Sequence, residues 1–235
     1  MIVIVANRWD QTPALVVSQW VHQPVAVLTS ADLSVCGWRQ RLNGADGATA
    51  VAEGKVLDQS EITGVLALLP WVFENELVDI VPEDRSYVAG EMTAFLLFWL
   101  SRLRCPVLNR PNPTSLSGTY WRREKWVSVA AQAGIPTKPV RRQAGLPTGS
   151  TSAETTPIGA TLTVVGSRVF GKADPVLERH ALGLARLAGV DLLAVHFSGP
   201  DPNSHFVSAD VYPDFSRDSV ADAVLEYLRG GLTRL

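Results

Sequence analysis

The chain opens on an unbroken apolar run, Ile2–Val5, and ends on an amphipathic stretch carrying Val220, Val224, Tyr227 and Leu228. A short apolar run without alternation predicts a strand buried on both faces, as in a parallel sheet. Similar runs recur at 24–28 (PVAVL), 63–68 (TGVLAL) and 106–108. Between them, 12–20 and 87–103 predict helices. Pro13 suits a first helical turn. The 87–103 stretch is apolar nearly all round, which predicts a buried helix. Strands alternating with helices predict a parallel α/β sheet over residues 1–108. The turn after the first strand, Ala6-Asn7-Arg8-Trp9-Asp10, contains no GxGxxG, so nothing supports a nicotinamide or flavin dinucleotide site.

The pattern changes in the second half. Residues 119–133 predict a helix closed by Gly134, with Pro136 beyond it. Residues 140–160 are rich in Gly, Pro, Ser and Thr and predict a linker. Runs at 162–165 and 168–170 flank Gly166-Ser167, a two-residue hairpin turn. Asp174 and Pro175 start a helix whose Leu177, Ala181, Leu184 and Ala188 share one face, and Gly189 closes it. Strands follow at 190–197 and 205–212, and Ser216 is the expected cap of the last helix.

Composition narrows the function classes. The 235 residues suffice for one large domain or two small ones, and 46% hydrophobic residues permit a real core. A net charge of −2 exerts no pull toward nucleic acid or an anionic membrane. Two cysteines, Cys36 and Cys105, without CxxC or a Cys/His cluster predict a cytoplasmic protein lacking disulfides and structural zinc. Met1 runs straight into a strand, which predicts no signal peptide. The longest apolar run, 92–100, is too short to span a bilayer.

Candidate chemistry is sparse. Arg122, Arg123 and Lys125 lie between Trp121 and Trp126. They read either as an anion site, with Arg for bidentate contact, or as a solvated helix face. Asn109-Arg110-Pro111 follows the last strand of the first sheet, at the end where α/β sheets bind ligands, and reads equally as a turn. Glu91 either pairs with an arginine such as Arg110 or lies on an exposed stripe. His196 and His205 face each other across the expected hairpin, but no nearby carboxylate or cysteine completes a metal site. Ser208 has no evident base, and GxSxG is absent.

Four pieces in order carry a resemblance. They are the Glu91 helix with Val107-Leu108-Asn109-Arg110-Pro111, Lys125 with AQAGIP at 131–136, TVVGSRVF at 163–170, and 188–215. Together they resemble the ATP-grasp superfamily, nearest to the RimK-like and graspetide peptide ligases. The resemblance implies a Rossmann-like pre-ATP-grasp domain at 1–108. It implies an ATP-grasp-like α+β domain at 109–235, truncated and lacking the central nucleotide lid, with 140–160 as linker. The magnesium strand of such enzymes carries Glu and Asn two apart; here those positions are Ser208 and Asp210. Asp191 is similar to the Asp of their "Gly, aliphatic, Asp" strand.

From this resemblance the expected function is that of a degenerate, non-catalytic binding or accessory subunit in peptide or small-molecule modification, as in RiPP biosynthesis. No cofactor is then expected. The alternative is a minimal ATP-dependent carboxylate–amine ligase using ATP and Mg2+, completed by a partner chain. Asn109, Arg110, Arg122, Arg123 and Lys125 are the expected anion-binding residues, and Asp191 and Asp210 a weak metal pair. The expected partners are a peptide or small ligand and a second copy or a full-length ATP-grasp enzyme, with no nucleic acid and no membrane.

Overall fold

The computed structural model describes residues 1–41, 47–139 and 157–231. The chain forms two units. One comprises residues 1–120 and the stretch from Asp214 onward; the other comprises Trp121–Pro213. From sequence the boundary is expected after residue 108, with the last helix in the second domain. The expected linker, 140–160, lies outside the described residues up to 156.

In the first unit, β1 (Ile2–Val5), β2 (Val25–Leu28), β5 (Gly64–Ala67) and β6 (Val107–Leu108) form a parallel sheet in the order β2-β1-β5-β6. Between β2 and β5 a hairpin is inserted, β3 (Thr49–Ala52) and β4 (Lys55–Asp58). Its two-residue turn puts Glu53 and Gly54 at positive φ, the geometry that matches strand twist. Val3, Val5, Val65 and Val107 share a core with Leu96, Trp99 and Leu100 of α2 (Arg85–Arg102). Successive side chains alternate across a strand, so Ile2 and Ile4 face the other side. On that unit's other helices, α1 (Thr12–Gln19) packs against α5 (Asp218–Leu228), and α5 lies on β5. Helices on both sides explain why the strands are apolar throughout.

Three local expectations are corrected. First, α2 is not buried all round: Ala89, Leu96, Trp99 and Leu100 form its buried stripe, and Glu91 is exposed. The helix covers one sheet face only. Second, Ser216 does not cap α5; its amide donates to the Asp214 carboxylate, and Arg217 is the N-cap. Third, α3 (Arg123–Gln132) begins later than residue 119, with Arg122 as N-cap in an extended conformation.

The second unit is an antiparallel sheet in the order β10-β9-β7-β8. Its strands are β7 (Ala160–Val165), β8 (Arg168–Phe170), β9 (Leu192–Phe197) and β10 (Phe206–Asp210). α3 and α4 (Pro175–Ala188) pack together on one face, over Leu162, Val164, Leu193, Val195 and Ala209. Local signals work well here. Asp174 accepts from the Val176 amide and caps α4, and Gly189 ends it in the left-handed region. No helix among the described residues is long and apolar enough to cross a membrane.

Candidate functional site

The nominated residues are scattered in role. Asn109 is buried at the carboxyl end of β6. Arg110 donates to the Leu103 and Cys105 carbonyls, at 3.4 and 3.1 Å, so its guanidinium closes the turn between α2 and β6. It therefore serves the backbone there, and Glu91 stands on the exposed stripe. Arg122, Arg123 and Lys125 are exposed, while Trp126 is buried against Trp121. The Lys125 ammonium lies 5.4 Å from the Trp121 ring centroid. This arrangement matches a solvated basic face over two packed aromatics.

The structure does not bring Asp191 and Asp210 together. Asp210 pairs across the ladder with Ala194, and Asp191 lies three residues earlier, ahead of β9. At a rise of about 3.3 Å per residue the two are separated by about 10 Å along the strand. The Asp191 carbonyl accepts from the Gly166 amide at the β7–β8 turn. The register explains the discrepancy. The long connection between β9 and β10, with a shift between Phe206 and Ser208, puts His196 opposite Ser208.

What assembles on that face is a polar chain across three strands. The Thr161 hydroxyl lies 2.9 Å from His196 Nδ1, and His196 Nε2 lies 3.1 Å from Asp210 Oδ2. A carboxylate only accepts. Nε2 therefore donates to Asp210, and in the neutral ring Nδ1 accepts from the Thr161 hydroxyl. Asp210 Oδ1 accepts from the Tyr212 amide at 2.9 Å. Both carboxylate oxygens are thus engaged within the protein, although the side chain is 46% exposed. Hydroxyl, imidazole and carboxylate in series is the order of an activated nucleophile. Here it also ties β7, β9 and β10 together.

His205 is not opposite His196. Its Nδ1 meets the Ser198 hydroxyl at 2.9 Å, and its Nε2 is buried with no partner. Burial, aided by the Lys138 charge, holds its pKa below the usual histidine value. Among the described residues no group of three or more His, Cys, Asp and Glu is placed to hold a metal ion.

A second polar assembly, unseen in the sequence, sits at the carboxyl ends of β1, β2 and β5. Glu76 is 2% exposed. Its Oε2 accepts from the Arg8 amide and the Ser30 hydroxyl, both at 3.2 Å, and its Oε1 accepts from the Phe73 amide at 3.1 Å. Asp32 likewise holds the Thr29 and Gly54 amides at 2.9 and 2.8 Å. These carboxylates are consumed in fixing the loops at the end where such sheets bind ligands. Only the tertiary fold reveals them, because their partners lie up to 68 residues away in sequence.

No family model matches the chain, and no curated protein matches it. Solved structures do. The macrocyclase MdnC of Microcystis aeruginosa MRC, bound with the precursor peptide MdnA, superposes with a TM-score of 0.70 at 13% identity, over 98% of this chain and 99% of that one. A RiPP-associated ATP-grasp ligase of Chryseobacterium gregarium, in complex with ADP and a leader and core peptide, gives 0.67 at 13% identity, over 99% and 97%. The ATP-grasp ligase PsnB, complexed with minimal precursor, Mg and ADP, gives 0.64 at 12% identity, over 97% of each chain. Identities this low speak for architecture only, and the architecture of this chain is that of the RiPP-associated ATP-grasp ligases.

Proposed function

We propose that the chain is a degenerate ATP-grasp-like protein that binds a peptide or small ligand without turning it over, as an accessory subunit in cytoplasmic peptide modification. One observation carries this reading. The residue two before Asp210 is Ser208, and Asp210 has both oxygens engaged by His196 and the Tyr212 amide. Magnesium is held by one or two carboxylates together with phosphate oxygens. A single carboxylate already engaged by His196 and the Tyr212 amide, beside a neutral serine, is a poor donor set for that requirement. Chain length supports the same reading. Only residues 133–159 separate α3 from β7. A nucleotide lid of four short strands and two helices needs roughly 40 residues before any connections. The precursor peptides in the related structures motivate a peptide ligand, and self-pairing or pairing with a full-length ATP-grasp enzyme would give such a subunit its place.

Isothermal calorimetry with ATP and magnesium is the test. No magnesium-dependent heat is expected, from the natural chain or from Asp210→Ala. Tight magnesium-dependent binding that Asp210→Ala abolishes overturns the reading. It would favour the rival, a minimal carboxylate–amine ligase completed by a partner chain. The specific observation on the rival's side is that the matches span nearly the whole of the macrocyclase and ligase chains.

A further inference from the structure

The first unit carries an open cleft of about 630 Å³ between the segment 71–75 and α2. Ala89, Gly90 and Thr93 form the helical wall, and Trp71 and Phe73 the other. Trp71 is half-buried, with the Phe73 ring 5.5 Å away and the Tyr120 ring edge-on at 5.0 Å. Tyr120 is itself 50% exposed. Gly90 leaves the helical wall low: a Cβ there would meet no atom within 4 Å. The segment follows β5, so the cleft opens near the ligand-binding end of the parallel sheet.

The rim is acidic. Glu74 lines the cleft, and Asp79, Glu83 and Asp84 are exposed on the stretch leading into α2. Glu83 stands one turn before Ser86, which also lines the cleft. Residues 71–91 contain a single cation, Arg85. Its guanidinium is turned onto the Ile80 and Val78 carbonyls, at 2.9 and 3.4 Å. Arg8 reaches the segment from outside it, its guanidinium 3.4 Å from the Glu76 carbonyl. Among the described residues neither Glu74 nor Glu83 forms an ion pair. Negative charge at Glu74 and in the adjoining stretch disfavours anionic lipid and nucleic acid.

We propose that this cleft docks a cationic peptide segment bearing an aromatic or large aliphatic side chain. The side chain enters between Gly90 on the helical wall and the packed Trp71 and Phe73 rings opposite. Flanking arginine or lysine residues meet Glu74 and Glu83 and lie against the aromatic faces. The volume is that of an ordinary ligand site. The inference rests on the peptide-binding part of the proposed function, but it fails separately from it.

The probe is a short fluorescein-labelled peptide alternating arginine with phenylalanine, compared with one alternating glutamate with phenylalanine, read by fluorescence anisotropy. The cationic peptide binds and the acidic one does not. Gly90→Met fills the cleft with a good helix former, so the fold is retained and thermal unfolding is not lowered. It weakens binding about tenfold or more. The pair Glu74→Lys and Glu83→Lys weakens binding similarly and flattens its salt dependence. Undiminished binding to Gly90→Met overturns the cleft but leaves peptide binding elsewhere on the chain standing. Equal binding of the acidic peptide, or no binding of the cationic one, also overturns it. Magnesium-dependent ATP binding would overturn the degenerate-enzyme reading and leave the cleft untouched.

Discussion

At the residue scale, burial decides what the polar groups do. Glu76 and Asp32 are almost wholly enclosed, and each is held by amide and hydroxyl donors. An enclosed carboxylate without such donors would cost far more than the bonds return. His180 and His205 are the opposite case. Each keeps one ring nitrogen buried without a partner, and burial depresses both pKa values, with Arg179 and Lys138 adding to it. Their folded-state values lie below the ordinary one of about 6.5. As pH falls, the unfolded chain takes up these protons first, so stability present above about 6.5 is lost as pH falls through the lower folded values. The melting temperature should therefore fall between pH 7 and pH 5. A His180→Gln, His205→Gln double variant should flatten that slope when both are followed by circular dichroism. The carboxyls of Asp58 and Asp214 are also depressed, by Ser60 and Ser216 donors, but they act in a more acidic range.

At the element scale, the returning helix α5 depends on a close approach. A Cβ at Gly64 would stand 2.7 Å from the Leu228 carbonyl oxygen and 2.9 Å from its Cβ. The obstacle is backbone, which cannot swing away. Trp20 secures the same contact from α1, its indole nitrogen donating to the Ala221 carbonyl at 3.1 Å. Gly64→Ala should destabilise the protein by about 1–3 kcal/mol in urea unfolding. Gly90→Ala, in open space on α2, should instead be neutral or stabilising by up to about 1 kcal/mol. Equal behaviour of the two variants would mean that α5 is not seated on β5 in solution.

At the scale of the whole molecule, the two units differ in how the chain builds them. The second is continuous, from Trp121 to Pro213, with its own core of sheet, α3 and α4. The first needs both ends of the chain, because α5 covers α1 and β5. A fragment of residues 121–213 should therefore unfold cooperatively on its own. Residues 1–120 alone should aggregate or lack a sharp transition, since loss of α5 bares Trp20 and strips its indole of the Ala221 carbonyl. Addition of a fragment beginning at Asp214 should restore order, as read by near-ultraviolet circular dichroism. A sharp transition for 1–120 alone would show that α5 is dispensable.

Much of this was legible in the order of residues. The apolar runs marked β1, β2, β5 and β6, and Asp174, Pro175 and Gly189 bounded α4, because strand burial and helix caps are local effects. The resemblance carried by the Glu91 helix with 107–111, Lys125 with 131–136, 163–170 and 188–215 pointed to the architecture that the solved structures share. Register and docking were not legible. A few residues in the β9–β10 connection moved His196, in place of Asp191, alongside Ser208 and Asp210. Glu76 found its partners 46 and 68 residues away. The final helix crossed back to the first sheet. Side-chain period and capping are read within one turn or one strand. Which carboxylate meets which donor is settled only when distant segments close on one another, and that closure determined what the candidate site contains.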